Sequence, residues 1–301
     1  MTDNRSPLHF FYLFLLALFW GSAFMFNKVA VDSIPPLTIA AGRIFIGALI
    51  VTGLALKMGA KLPRGRDQWV QCLVIGILGN VIPFFLVSWA VQHVQSALAA
   101  ICMSLMPLFT LALAHVMTHD EKFSVQKLIG VIFGVLGIVS LFYGTIREVT
   151  PSLTLYLALF GLLATSFFYA LCGVLIKNLK NKNPLSTSAA MLIMASVVII
   201  PLALMLEHPW TATPTVDALV ATVMLGVFST GLAAYVLFHL THITGAVFVS
   251  YNTYLIPLVG MAAGYIWLDE ALKSTYFISI CFIFTGIYLA ERRKSVPHPV
   301  S

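Results

Sequence analysis

The sequence predicts an all-α membrane protein of ten transmembrane helices in two inverted five-helix repeats. Three observations predict it: an apolar composition, ten runs of membrane-spanning length, and self-similarity at an offset of 149–150 residues. Hydrophobic residues make up 60% of the 301 and charged residues only 9%. Mean hydropathy is +0.97, and a soluble domain would carry far more charge to wet its surface. A hydrocarbon core is crossed by roughly 17–25 apolar residues. Runs of that size cover 9–28, 35–56, 68–91, 95–117, 124–143, 153–176, 184–206, 216–238, 245–267 and 274–290. The links between them are too short to hold a soluble domain.

The first run is longer than the roughly 7–15-residue apolar region of a secretory leader and continues into "FNKVAVD" without a small-residue cleavage site. It reads as an uncleaved helix. The four cysteines, Cys72, Cys102, Cys172 and Cys281, all fall inside predicted helices, where unpaired spacing marks buried thiols rather than disulfides or metal ligands. The net charge of +6 is distributed by topology. With the N-terminus in the cytoplasm, thirteen Lys and Arg fall inside, three (Lys28, Arg147, Lys273) fall outside, and Arg43 lies within the membrane. That positive-inside bias places both termini in the cytoplasm. It assigns the basic balance to the lipid bilayer's sidedness and excludes a nucleic-acid partner.

At an offset of 149, "WGSAFMFNK" (20–28) overlies "YALCGVLIK" (169–177), matching Trp20 to Tyr169 and Lys28 to Lys177, and Pro35 falls on Pro184. At 150, Gly76 meets Gly226 and Pro107 meets Pro257; Glu121 and Glu270 follow those prolines by 14 and 13 residues. Random apolar helices would not put prolines, glycines and terminal charges in register. The chain therefore divides into repeats at 1–147 and 148–301. Five helices is an odd number, so the repeats lie in the membrane with opposite orientation. Inverted repeats are a device of secondary transporters, which bind substrate near midplane between the halves.

"LFWGSAFMFNKVA", "AAGRIFIGAL", "SLMPLFTLALAHVMTHDEKFSVQKLIGVIFGVLGI" and "YLIPLVGMAAGYIWLDEAL" resemble the EamA-type family of the drug/metabolite transporter superfamily over essentially the whole chain. The resemblance implies ten helices around a central cavity. It also implies export of amino acids or related small metabolites across the bacterial inner membrane, YddG-like amino acid exporters being one subgroup. One departure is visible: Leu192 stands where the first repeat has Arg43.

Arg43, in "PPLTIAAGRIFIGALI", sits roughly 12 Å along its helix from Pro35 at about 1.5 Å per residue. An arginine at bilayer-centre depth costs about 2.5–3.5 kcal/mol on insertion scales. All eleven acidic residues lie in predicted loops or at helix ends, so no carboxylate pairs with it at midplane. Two readings stand. Arg43 is structural, bonding freed carbonyls or snorkelling outward, or it anchors a substrate carboxylate with its guanidinium fork. The missing midplane acid counts against a proton-coupled exporter of cations, and the single cation counts against a phosphate-bearing substrate. A carrier of neutral metabolites such as sugars, with Arg43 structural, is the alternative.

Asn80 in "GILGNVIPFF" and Thr230 in "GVFSTGLAAY" occupy matching glycine-rich places in the two halves. Such pairs point to a transporter site, and equally serve as helix–helix glue. Trp20 and Tyr169 are matched aromatics; Tyr235 and the "VSYNTY" trio Tyr251, Asn252 and Tyr254 complete the candidate substrate-binding set, with core packing as the competing reading. Pro107 and Pro257 bend helices four and nine, as static kinks or as hinges. Trp69, Trp210 and Trp267 lie near membrane boundaries, as interfacial belts require. His115 with Asp120 resembles the His/Asp pair of some acyltransferases, and His239 and His242 lie three apart. No further ligand, nucleophile elbow or phosphate-binding loop joins them. The expectation is a transporter with a small-molecule substrate, not an enzyme, without cofactor or metal; the sequence is silent on oligomeric state.

Overall fold

The structure is a computed structural model that describes residues 6–94, 96–121, 123–146, 151–179, 183–259 and 274–291. Among them all regular structure is helical. Six helices are long and apolar enough to cross a membrane: α1 (Pro7–Val31), α2 (Pro36–Lys57), α3 (Arg66–Ala90), α6 (Leu153–Lys177), α7 (Pro184–Leu206) and α8 (Val216–Thr244). The other four predicted spans hold further apolar helices. These are α4 (Ser96–Met103 and Met106–Met117), α5 (Val125–Ile146), α9 (Ala246–Val259) and α10 (Ser274–Glu291). The predicted boundary at 147–148, Trp267 and Glu270 lie outside the described residues. Phe11, Phe14, Leu49, Phe160 and Val197 stand exposed, an outer apolar surface of the kind a lipid bilayer covers.

Without water in the bilayer, every freed backbone group needs an internal partner. Pro83 lacks an N–H, and α3 loosens into π-helix over Ile77–Val81 just before it, with Ile82 N–H reaching Ile77 O five residues back. α8 carries the matching π segment over Leu225–Leu232, at the repeat offset from the first. α4 breaks at Ser104–Leu105, immediately before Pro107. There the Ser166 hydroxyl of α6 donates to Cys102 O at 2.9 Å. In α9 the turn falls at Tyr251, six residues ahead of Pro257.

Helix ends are closed from across the molecule. Glu207, after α7, accepts from Leu37 and Thr38 N–H at 2.9 and 2.7 Å and from the Thr38 hydroxyl at 2.8 Å, capping α2. Glu121, after α4, accepts from Ala246 and Val247 N–H at 3.1 Å each, capping α9. Gly245, at φ +96°, makes room for that carboxylate: an ideal Cβ there would collide with Glu121 Oε1. Burial pushes the Glu121 carboxyl above the usual carboxylate range, against the opposing pull of the Val247 and Ala246 N–H groups. Beside it, Lys177 Nζ lies 3.0 Å from Asp120 and Asn178 donates to Met117 O at 2.9 Å, tying α6 to the end of α4.

Four buried clusters result among the described residues, and two of them are much the larger. One joins α2, α3, α6, α7 and α8 around Ile44, Val51, Leu192 and Ile199; the other joins α1, α4, α5, α6, α8, α9 and α10 around Leu16, Phe248, Tyr251 and Tyr254. α5 and α10 meet backbone to backbone. A Cβ on Gly130 would lie 2.5 Å from Gly286 O, so neither glycine has room for a side chain.

Glu121→Ala leaves two buried N–H groups unpaired and should cost about 1–3 kcal/mol. Glu121→Gln keeps an acceptor and should cost less. A raised folded-state pKa contributes stability below the unfolded value that is lost as pH rises through the folded one. Glu121→Gln should therefore flatten the decline of stability above about pH 4.3. Thermal unfolding in detergent across that range checks both. Gly286→Leu should separate α5 from α10 and lower stability by about 1–3 kcal/mol in the same assay.

Candidate functional site

Between the two larger clusters lies a cavity of about 110 Å³, walled by residues of α1, α2, α3, α4, α6, α7, α8 and α9. Helical spacing selects its wall. On α1 the lining residues are Trp20, Ala23 and Asn27, and on α8 they include Thr230, Ala234, Leu237 and Thr241, each three or four residues apart. The two π segments place Asn80 and Thr230 on this wall. Single-turn π-bulges occur often at functional sites because they turn a few side chains off the regular helical rows.

Arg43 projects from α2 into the wall and is 4% exposed. Its Nε–H donates to Thr230 Oγ1 at 3.0 Å. Its Cζ lies 3.9 Å from the Phe84 ring centroid, a cation–π contact. α2 and α8 come this close because Gly47 faces Thr230 and Gly226 faces Ile46. One nitrogen of the guanidinium is thus held by a neutral hydroxyl, and its face rests on an aromatic ring. Among the described residues it makes no salt bridge, and no carboxylate lines the cavity. Its terminal nitrogens, a two-pronged donor set, make no hydrogen bond among the described residues.

The remaining polar groups hold the wall in place. The Trp20 indole N–H donates to Ser229 O at 3.1 Å, while Ser229 Oγ donates back to Phe19 O at 2.6 Å, fixing α1 to α8. Asn80 Nδ2 donates to Met191 Sδ at 3.4 Å, joining α3 to α7. Asn27 Oδ1 accepts from the Ser88 hydroxyl at 3.3 Å. Tyr169 faces the cavity from α6, near Arg43.

The structure thus brings Trp20, Arg43, Asn80, Tyr169 and Thr230 together on one wall. Tyr235, Tyr251, Asn252 and Tyr254 lie off it. On α9 the lining row is Ala246, Val249, Thr253 and Ile256, and the other three polar residues fall between its members. Tyr254 turns to α5 instead, its ring over Gly134 and its hydroxyl donating to Val131 O at 3.2 Å. Tyr251 stacks on Tyr254, centroids 6.3 Å apart, and Asn252 is buried. Tyr235 is one position off the α8 row and stacks on His239, centroids 6.2 Å apart. Phe84, Asn27 and Met191 are absent from the sequence-derived set; Phe84 lies one turn from Asn80 and Asn27 two turns from Trp20, spacing that was the signal for both, while Met191 meets Asn80 only through helix pairing. His115 Nδ1 accepts from Phe123 N–H at 3.2 Å, and Asp120 pairs with Lys177.

A small, mostly apolar cavity among membrane-spanning helices, with Arg43 as its charged lining residue among those described, defines the class: a multi-pass membrane protein. The sequence profile of the EamA-like transporter family matches residues 8–143 and again residues 156–291. The chain therefore belongs to the EamA-like transporter family, and is a membrane transporter rather than an enzyme. It is 23% identical over 287 residues to YoaV of Bacillus subtilis, called an uncharacterized transporter, covering 93% of this chain and 96% of that one. It is 26% identical over 285 residues to YedA of Escherichia coli K12, called an uncharacterized inner membrane transporter, covering 94% and 90%. A solved crystal structure superposes with a TM-score of 0.79 at 17% identity, over 95% of this chain and 97% of the other, a likeness of fold alone.

Thr230→Val removes the acceptor of the Arg43 Nε–H, and should cost about 1–3 kcal/mol, whereas Thr230→Ser should retain most of the stability. Chemical denaturation of the two purified variants in detergent separates these outcomes.

Proposed function

We propose that the protein exports amino acids or related small metabolites across the bacterial inner membrane by alternating access, with Arg43 anchoring the substrate carboxylate. The observation that carries this reading is the buried guanidinium on the cavity wall, whose Nε is bonded to Thr230 and which faces no protein carboxylate among the described residues. A guanidinium fork recognises a carboxylate through two parallel N–H···O bonds. Trp20, Tyr169 and Asn80 complete the proposed substrate wall.

The transport mechanism follows from the duplication. Two five-helix repeats of opposite orientation, both termini in the cytoplasm, would rock about the cavity. The matched π segments of α3 and α8 support this reading, since each repeat loosens one helix beside the site. Closure on the side of α9's N-terminus would rest on Glu121, Asp120 and Lys177, which join one repeat to the other. The bonds of Arg43 to Thr230 and Phe84 also favour a second reading, a carrier of neutral metabolites such as sugars with Arg43 as scaffold.

Counterflow in liposomes decides between them. Protein reconstituted with unlabelled neutral amino acids inside should take up the labelled amino acid but not its amide derivative, and folded Arg43→Gln should lose at least about tenfold of the rate, a loss of about 1.4 kcal/mol. Equal movement of acid, amide and variant would make Arg43 scaffold.

A further inference from the structure

Resting on the reading of Arg43 as a carboxylate anchor, we propose that the site selects a small aliphatic monocarboxylate anion, of the 2-oxo acid class, over the zwitterionic amino acid with the same carbon skeleton. Three features of the cavity lead there.

The first is charge. Arg43 is the one charged side chain lining the cavity among the described residues. A monoanion neutralises it. A zwitterion brings a carboxylate and an ammonium together, leaving the occupied cavity with a net positive charge in a medium where uncompensated charge is costly. Its ammonium would also sit within a few ångströms of the guanidinium that holds its carboxylate, where like charges repel strongly.

The second is hydrogen-bonding capacity. The ammonium offers three donors and needs acceptors, and no carboxylate stands on the wall to receive them. The acceptors on the wall are neutral oxygens, among them the hydroxyls of Thr110, Ser229 and Thr253, whose protons go to backbone carbonyls, and none brings the negative charge that would offset an ammonium. The charged hydrogen-bonding group of the site is the guanidinium, a donor without acceptors. A 2-oxo acid presents only acceptors, a carboxylate and an adjacent carbonyl, and so matches a donor-rich headgroup pocket.

The third is surface. Around the polar end the wall is Phe84, Met103, Met106, Leu237 and Ile256, apolar and, through its methionines, adaptable in shape. Such a wall suits an aliphatic body.

The test is binding to the purified full chain in detergent, read by titration calorimetry, using 3-methyl-2-oxobutanoate, 3-methylbutanoate, valine and valinamide. The oxo acid should bind at least about tenfold more tightly than valine, with 3-methylbutanoate between them and valinamide without measurable binding. Raising the pH until valine's amine loses its proton turns valine into an anion and should bring its affinity towards that of 3-methylbutanoate. Arg43→Lys, which keeps the charge, should retain the preference for anions even if Arg43→Gln does not fold. Valine binding as tightly as the oxo acid, or showing no gain on deprotonation, overturns the proposal while leaving the carboxylate anchor in place. Valinamide binding as tightly as 3-methylbutanoate overturns the anchor itself.

Discussion

A positive charge inside an apolar medium constrains everything near it. Arg43 keeps its proton at ordinary pH and is 4% exposed, at the edge of the cavity. The structure holds it with one neutral hydroxyl and one aromatic face. That support steadies the guanidinium without neutralising it. A protein carboxylate in the same place would have made a closed ion pair and a scaffold. Its absence among the described residues is what the proposed reading of Arg43 as an anchor for an anionic ligand rests on.

The support depends in turn on how closely α2 and α8 approach. Thr230 reaches Arg43 because Gly47 lets its methyl group pack at the α2 surface, and because α8 is wound as π-helix over Leu225–Leu232. α3 does the same over Ile77–Val81, placing Asn80 against Met191. In lipid a helix is loosened only where a neighbour or its own altered winding satisfies the freed groups. Both loosened segments border the cavity, so the defects that weaken each helix also shape the site.

Charged groups at the helix ends work differently. Glu207 and Glu121 each leave one repeat and cap a helix of the other, at the starts of α2 and α9. A carboxylate on a helix N-terminus completes free N–H groups and meets the positive end of the helix dipole. α2 carries Arg43 and α9 carries part of the wall, so the two caps fix the heights of both at the cavity. Burial raises the Glu121 carboxyl above the ordinary range, whereas Asp120, although also disfavoured by burial, is held below it by Lys177. The adjacent acids thus answer to different surroundings: one faces a helix end, the other a cation.

Composition and run length by themselves determined that this chain is helical and membrane-embedded, because the bilayer admits few other solutions for an apolar backbone. The matched prolines and glycines determined the duplication, and the lack of any midplane acid made Arg43 stand out. Trp20, Asn80, Tyr169 and Thr230 were legible because a repeat marks equivalent positions on both halves. Tertiary structure decided the rest. Helix rotation about its own axis is set by packing, and a shift of one residue moves a side chain by 100°. Tyr235 missed the cavity by that single step, and the "YNTY" cluster was divided between the α5 interface and the core. The pairing of Arg43 with Thr230, 187 residues away, and of Glu207 with Leu37 and Thr38 depends on helices from opposite repeats meeting. No local pattern encodes such meetings, because each partner's sequence is consistent with many neighbours until the bundle closes.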